Sequence, residues 1–518
     1  MTAKKASAQT NPVAASKRPA LANRPPRRRC TSVQKPSSAS VTDALVPSLK
    51  RPTRAERRLL AGFERKLLRA AQGVIQTQAL SEQIKHRRLA SRFPEMVSAY
   101  ATGIYKVQVA YGVGVAAFQK EVNAFLKVND HKLVGLVREV AKTRKGELTV
   151  CGRRHPGAWF DQNGQLQTEM PTLSAIHDMA RVMRLDRQIP PARRVRIPKQ
   201  SNDARRGGRA ADFRETFDFT LPTRAVQRMV LDIIQRVLPE NEFDFGRPGA
   251  GGKDAAAGAI QDAIYNGSTY FAVADIANAF PSTKIGHVVD LIPLPPRVIQ
   301  NVLCPDTTMR RNGAGASART NASCPPQATT ARCLPQGAVT SAAIMSALLG
   351  RELRSLAGSN RVIVVIADDI AIGARTREEA EQALLELQSA LRSLRAGPLY
   401  LGQAAIQSPD ERNNHVQFAG YRHRYFDDTR RVHCVPSDKA IRKMRDELAR
   451  KLNVGPHDRL DRVREKYFGA WRATFREWTI NGRSLEALED TTIMVMFSIY
   501  DKLKDEGRAP SLWPTGQL

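Results

Sequence analysis

Acid is scarce in this sequence beside its base. Against 81 lysines and arginines stand 50 aspartates and glutamates, and Asp43 is the one acid in residues 1–55. Aromatic residues make up 6%, too few for recognition by stacking alone to lead. The six cysteines, at 30, 151, 304, 324, 333 and 434, form no Cys-x-x-Cys pair. Cys151 and His155 stand close together without two further spaced ligands, which argues against a zinc site. No secretory signal and no apolar run of membrane length occurs, so the expectation is a reducing, soluble setting with no membrane partner. The glycine-rich stretch Phe243-Asp244-Phe245-Gly246-Arg247-Pro248-Gly249-Ala250-Gly251-Gly252 is not followed by Gly-Lys-Ser/Thr, which excludes a Walker A loop. It reads either as an anion site at a helix start or as a plain strand-to-helix turn.

What remains is strongly positive. The formal net charge is +31 over 518 residues. An excess of that size favours a polyanionic partner, because neutralised phosphates release condensed counterions, and nucleic acid is the expected class. Residues 1–55, rich in Ala, Ser, Pro, Lys and Arg, can bury little apolar surface and read as a disordered basic arm. Lys17-Arg18 with Arg27-Arg28-Arg29 fits a nuclear import signal or an electrostatic arm for nucleic acid. The acid-poor, Ser/Arg-rich start also resembles a transit peptide, and a plain unstructured basic tail fits as well as any address. From about Ala55 to Lys145 the pattern is helical: Leu59, Leu60, Phe63, Leu67 and Leu68 recur at helical spacing, and further helices are expected over Phe93–Lys106 and Val113–Thr143. Residues 146–190 are mixed, with Gly and Pro. A weaker helix is expected around Leu173–Leu185.

Two β-branched runs, Val362–Ile366 and Ile370–Ile372, flank Asp368-Asp369 and read as a hairpin with acids at its turn. Two anions beside a buried sheet need a counter-charge, and a divalent metal supplies one. A solvated turn would need none, as the Asp427-Asp428 pair in a polar segment illustrates. Within Ser268–Pro281, Asp275 ends another strand-like run, and it either caps the following turn or completes a two-metal site for phosphoryl transfer. Leu334-Pro335-Gln336-Gly337 opens a helix, with Gly337 allowing close approach and Gln336 and Ser341 offering hydrogen bonds.

Taken in order, Lys199, Asp275 with Phe280, Leu334-Pro335-Gln336-Gly337, Ala367-Asp368-Asp369 and Phe418-Ala419-Gly420-Tyr421 resemble the reverse transcriptase family over roughly residues 191–480. The Gln-Gly motif and Phe-Gly-Arg-Pro-Gly segment are similar to its bacterial and group II intron-like branch. The resemblance implies an α+β right-hand polymerase, with fingers, an antiparallel-sheet palm and a helical thumb. It divides the chain into a basic arm (1–55), a helical N-terminal extension (56–190), fingers and palm (191–435) and thumb (436–518). It makes Asp275, Asp368 and Asp369 the catalytic carboxylates, holding two Mg²⁺, or Mn²⁺ in their place, with the Ile276 carbonyl in one metal shell. Lys199 and Arg214 would hold the incoming triphosphate, and Gln336 and Gly337 would line the nucleotide pocket. Phe280 would be a steric gate against a ribose 2′-hydroxyl. Phe418, Gly420 and Tyr421 would form a primer grip.

The implied reaction is RNA-templated addition of dNTPs to a DNA or RNA primer, in a retroelement or a system derived from one, with a dedicated structured RNA as a further candidate partner. The rival readings are an RNA-templated RNA polymerase and a non-catalytic RNA-binding palm. Location would be cytoplasmic in a prokaryote and nuclear in a eukaryote. Two departures stand out: Ile366 occupies the place of a usual tyrosine, and no lysine occurs between Lys284 and Lys439. The helix opened by Ser437 and its basic successors is expected to grip a duplex.

Overall fold

The computed structural model describes residues 53–75, 80–143, 147–150, 153–185, 193–198, 213–305, 332–358, 361–409, 415–426, 430–440, 479–480 and 483–484. The basic arm through residue 52, Lys199, the segment 306–331, and the thumb helices expected beyond residue 440 lie outside the described residues.

Helix α1 (Arg54–Ile75) opens with a reciprocal cap. The Glu56 amide donates to Thr53 Oγ1 at 3.2 Å, and the Thr53 amide donates to Glu56 Oε2 at 2.7 Å. Helix α2 (Leu80–Val113) is longer than the spacing predicts and runs through Pro94. The single helix expected over 113–143 is divided into α3 (Val115–Lys127) and α4 (Asn129–Thr143). Gly114, at φ +145°, and the extended Val128 make the breaks. Two small hairpins follow, β1 (Glu147–Val150) with β2 (Arg153–Pro156) and β3 (Trp159–Phe160) with β4 (Leu166–Gln167). Helix α5 (Leu173–Val182) then starts at Thr172, whose hydroxyl accepts from the Ala175 amide.

Strands β5 (Arg193–Pro198) and β6 (Phe213–Asp218) form an antiparallel hairpin, leading into α6 (Leu221–Val237). Helix α7 (Gly252–Tyr265) precedes β7 (Tyr270–Ile276) and the short helices α8 (Ala279–Ser282), α9 (Ile285–Leu291) and α10 (Pro296–Val298), the last continuing as a π turn over Ile299–Leu303. Helix α11 (Ser341–Leu356) is followed by β8 (Val362–Ile366), β9 (Asp369–Ala374), α12 (Arg377–Arg392) and β10 (Leu401–Gln407). The remainder is β11 (Val416–Phe418), β12 (Tyr421–Phe426), β13 (Arg431–Pro436), β14 (Thr479–Ile480) and β15 (Arg483–Ser484), hydrogen-bonded in that order.

The central sheet is antiparallel, in the order β10-β7-β9-β8. Period-two alternation sorts its apolar side chains onto two covered faces. Ala272, Ile276, Ile363, Val365, Ile370 and Ile372 pack with leucines of α11 and α12. Phe271, Val364 and Ala371 pack with Ala256, Ile260 and Ile264 of α7 and with Val416, Phe418 and Val432. Burial on both faces explains why β8 and β9 read as continuous apolar runs rather than alternating ones. Helix α12 begins with a capping box, Thr376 and Glu379, and buries Ala380, Ala383, Leu387 and Leu391 at helical spacing.

A third cluster joins the N-terminal helices to the rest, taking Tyr100, Phe118 and Val134 together with Met229, Ile233, Val302 and Ile344. Buried charge stitches the same contact. Glu139 of α4, 0% exposed, faces Arg228 at 2.8 Å and Arg224 at 3.3 Å, both from α6. Asp232 of α6 accepts from Tyr100 Oη of α2 at 2.6 Å and pairs with Arg138 of α4.

Candidate active site at the carboxylate hairpin

The two acids expected at a strand end and a turn meet in register. Asp275 on β7 lies opposite Asp369, the first residue of β9. Ala367 and Asp368 make a two-residue turn, since Ile366 pairs directly with Asp369. Ala367 takes φ +58°, a left-handed conformation for a residue with a Cβ, costing about 1 kcal/mol or more. The Ile276 amide donates to the Asp368 carbonyl at 3.3 Å, tying the turn to the end of β7.

Asp275 and Asp368 are half-buried and Asp369 is exposed. Crowding by the surrounding protein, and then the like charges of Asp368 and Asp275, push the Asp369 carboxyl up to about 6, with Lys439 and Lys253 pulling the other way. Water still reaches this residue, so the like charges are the firmer cause. Among the described residues, no three His, Cys, Asp or Glu side chains are drawn together closely enough to hold a metal ion as they stand. The donor chemistry nonetheless suits one: three carboxylates with hard oxygens, two on paired strands and one in the adjoining turn, with negative charge in excess.

Other candidate residues divide between lining and framework. Phe280, in α8, is half-buried and packs against two apolar clusters, the one joining the N-terminal helices and the one beneath α11 and α12. Gly337 takes φ +106°, and a Cβ there would meet the Phe217 carbonyl oxygen at 2.4 Å. The Phe217 amide donates to the Gln336 carbonyl at 2.9 Å. The Gln336-Gly337 turn is therefore seated on strand β6. Ser341, read as a donor to base or sugar, instead gives its hydroxyl to the Pro335 carbonyl at 2.9 Å and is buried. Arg214 lies on β6 opposite Ile197.

Phe418 and Tyr421 end β11 and begin β12, joined by Ala419 at φ +51° and Gly420 at φ +91°, the both-positive geometry of a tight hairpin. Both rings are buried, and Tyr421 Oη donates to Asp254 Oδ1 at 2.5 Å.

Two features escaped the sequence reading. Asp244, 5% exposed, takes the Gly246 amide at 2.7 Å and the Ser346 hydroxyl at 2.5 Å. It anchors the glycine-rich segment, which lies along β8: the Phe245 amide donates to the Val365 carbonyl at 2.9 Å and the Val365 amide to Phe243 at 2.8 Å. A Cβ on Gly246 would come within 3.6 Å of the Ala367 nitrogen. The stretch links α6 to α7, and it backs the acid-bearing hairpin. The second feature is the contact of β10 with Asp275, where the Gln403 amide donates to Oδ1 at 2.5 Å.

Sequence comparison assigns the segment that carries this geometry. Residues 197–397 match the family model of the reverse transcriptases (RNA-dependent DNA polymerases). This reverse transcriptase domain runs from the end of β5 to just beyond α12 and includes all three carboxylates, Phe280 and the Gln336-Gly337 turn. The chain is thus an RNA-directed DNA polymerase, a nucleotidyltransferase. Metal and nucleic-acid binding are typical of reverse transcriptases. No curated protein matches the chain.

Proposed function

We propose that the chain extends a primer 3′ end with dNTPs on an RNA template by two-metal nucleotidyl transfer, with Asp275, Asp368 and Asp369 as the metal-holding acids. The observation that carries this reading is the register of Asp275 opposite Asp369, beside the Ala367-Asp368 turn. Two Mg²⁺ ions bound there, with the Ile276 carbonyl as a further oxygen donor, would activate the primer hydroxyl and offset charge on the leaving diphosphate. The protein's share is placement. β7 and β9 hold the acids on a sheet covered on both faces, while the strained turn and the glycine-rich segment behind it set the position of Asp368.

In this reading the four-stranded sheet is the palm, the β5–β6 hairpin belongs to the fingers with Lys199 and Arg214 toward the triphosphate, and the residues from 436 onward form the thumb. The β11–β12 hairpin would steady the primer through its backbone, because its two rings are buried. Gln336 would reach the nucleotide while Gly337 holds the turn on β6. Phe280 would gate the ribose. The Gln-Gly and Phe-Gly-Arg-Pro-Gly motifs support the bacterial and group II intron-like branch. The net charge of +31 supports an RNA partner, including a dedicated structured RNA of a retroelement or retroelement-derived system. Location follows the host, cytoplasm in a prokaryote and nucleus in a eukaryote.

Primer extension on an RNA template tests the assignment. Asp275→Ala, and Asp368→Ala with Asp369→Ala, should each reduce dNTP incorporation by about a thousandfold or more while leaving the protein folded. Retained incorporation in either would remove the acids from the chemistry, and synthesis from rNTPs alone would replace the substrate. Phe280→Ala should raise rNTP use relative to dNTP use, a ratio that loss of packing by itself does not move.

A further inference from the structure

Strand β10 lies at the edge of the sheet, beside β7, and its pairing is irregular at one place. Leu401 pairs with Ile276 and Ala404 with Ala274, so Gly402 and Gln403 together oppose the single residue Asp275. That two-against-one count is a β-bulge, a device that turns an amide or side chain away from its ordinary ladder position. Here the amide so turned is that of Gln403, which donates to Asp275 Oδ1 at 2.5 Å. The other bulge residue makes room. A Cβ built on Gly402 would stand 2.8 Å from Asp275 Oδ1, 3.2 Å from Oδ2 and 3.3 Å from Cγ. Gly402 does not have a positive φ, so its need to be glycine comes from the carboxylate lying against it and not from its backbone conformation.

We propose that the Gly402–Gln403 bulge is a positioning device for Asp275: the Gln403 amide fixes one carboxylate oxygen, and the bare Gly402 backbone admits the carboxylate in that orientation. The inference rests on the reading of Asp275 as a metal-holding acid. A backbone amide is a suitable partner for such an acid. It cannot titrate, it brings no competing positive charge, and it occupies one oxygen while the other keeps its lone pairs for a cation. Asp275 needs such a partner more than its neighbours do, because it sits within the span of β7 rather than at a turn, with a strand on either side.

The test uses the full chain and two readouts, primer extension and Mn²⁺ binding followed by the EPR signal of the free ion without nucleotide. Gly402→Ala should lower kcat by about tenfold or more, leave the primer–template Kd within about twofold, and weaken Mn²⁺ binding by about tenfold, the cost usual for a misplaced ligand partner. Gln403→Pro deletes the amide donor at a sheet edge, where proline is tolerated, and should show the same split. Ala405→Ser, on the exposed part of the same strand, should change neither readout. Wild-type kcat and Mn²⁺ affinity in Gly402→Ala or in Gln403→Pro, with Asp275→Ala having lost both, would overturn the positioning role alone. An Asp275→Ala variant that keeps both would overturn the metal-holding assignment, and the proposal with it.

Discussion

Ala367 is an exposed residue whose side chain touches little, yet its φ of +58° gives it weight in the site. The turn has one residue to spend before Asp368, and a left-handed step there is what lets β8 reverse directly into β9. Ala367→Gly should therefore be tolerated, whereas Ala367→Val, β-branched in a region such residues avoid, should cost about 1–2 kcal/mol and lower activity more than stability. Urea denaturation alongside primer extension would separate the two losses. His423 makes a different residue-scale case. It is fully buried on β12, neither ring nitrogen has a hydrogen-bond partner among the described residues, and burial pulls its pKa from 6.5 down to about 3. As pH falls through 6.5 the unfolded chain takes up a proton that the folded chain refuses until about 3. Stability should thus decline between those values and level off below them. By pH 4.5 this one residue should account for about 3 kcal/mol of lost stability. His423→Phe should flatten that limb of a pH series of denaturation midpoints; an unchanged slope would place the acid sensitivity elsewhere.

At the scale of elements, the contact between the Gln336-Gly337 turn and β6 joins the β5–β6 hairpin to the start of α11. Because the atom nearest a new Cβ on Gly337 is a backbone oxygen, no side-chain rotation can relieve the clash. Gly337→Ala should cost about 2–3 kcal/mol and shift the hairpin, which hydrogen exchange at the Phe217 amide would report as faster exchange. A variant with wild-type exchange there would mean that the turn adapts. The elements themselves were largely legible from local pattern. The Val362–Ile366 and Ile370–Ile372 runs and the strand-like run that Asp275 ends carry their apolar pattern in consecutive residues. What could not be read depends on distant partners. Nothing local marks Asp244 as the anchor of a segment against β8. Gly402 looks like any strand glycine until β7 lies beside it. Lys199 and the helices beyond residue 440, both singled out in the sequence, lie outside the described residues.

At the scale of the whole molecule, the N-terminal helices share an apolar cluster and a buried ion network with α6 and the helices that follow it. Glu139 gathers Arg224, Arg228 and Lys142 around a carboxylate that water does not reach. Glu139→Ala would leave Arg228 facing no counter-charge at that contact and should cost about 3 kcal/mol, read as a lower denaturation midpoint. Glu139→Gln, which keeps the volume and some hydrogen bonds, should lose less.

The edge position of β10 also bears on what may be cut out and studied alone. The family match ends at residue 397, and β10 begins at Leu401. A fragment trimmed to the family boundary would keep every acid of the site, and its alignment would look complete. It would also strip β7 of a neighbour, turning a central strand into an open row of amides and carbonyls that invites pairing with other chains. The segment that evolution marks as a unit thus stops short of the one that physics holds together, leaving out β10 and the strands that carry Val416, Phe418 and Val432.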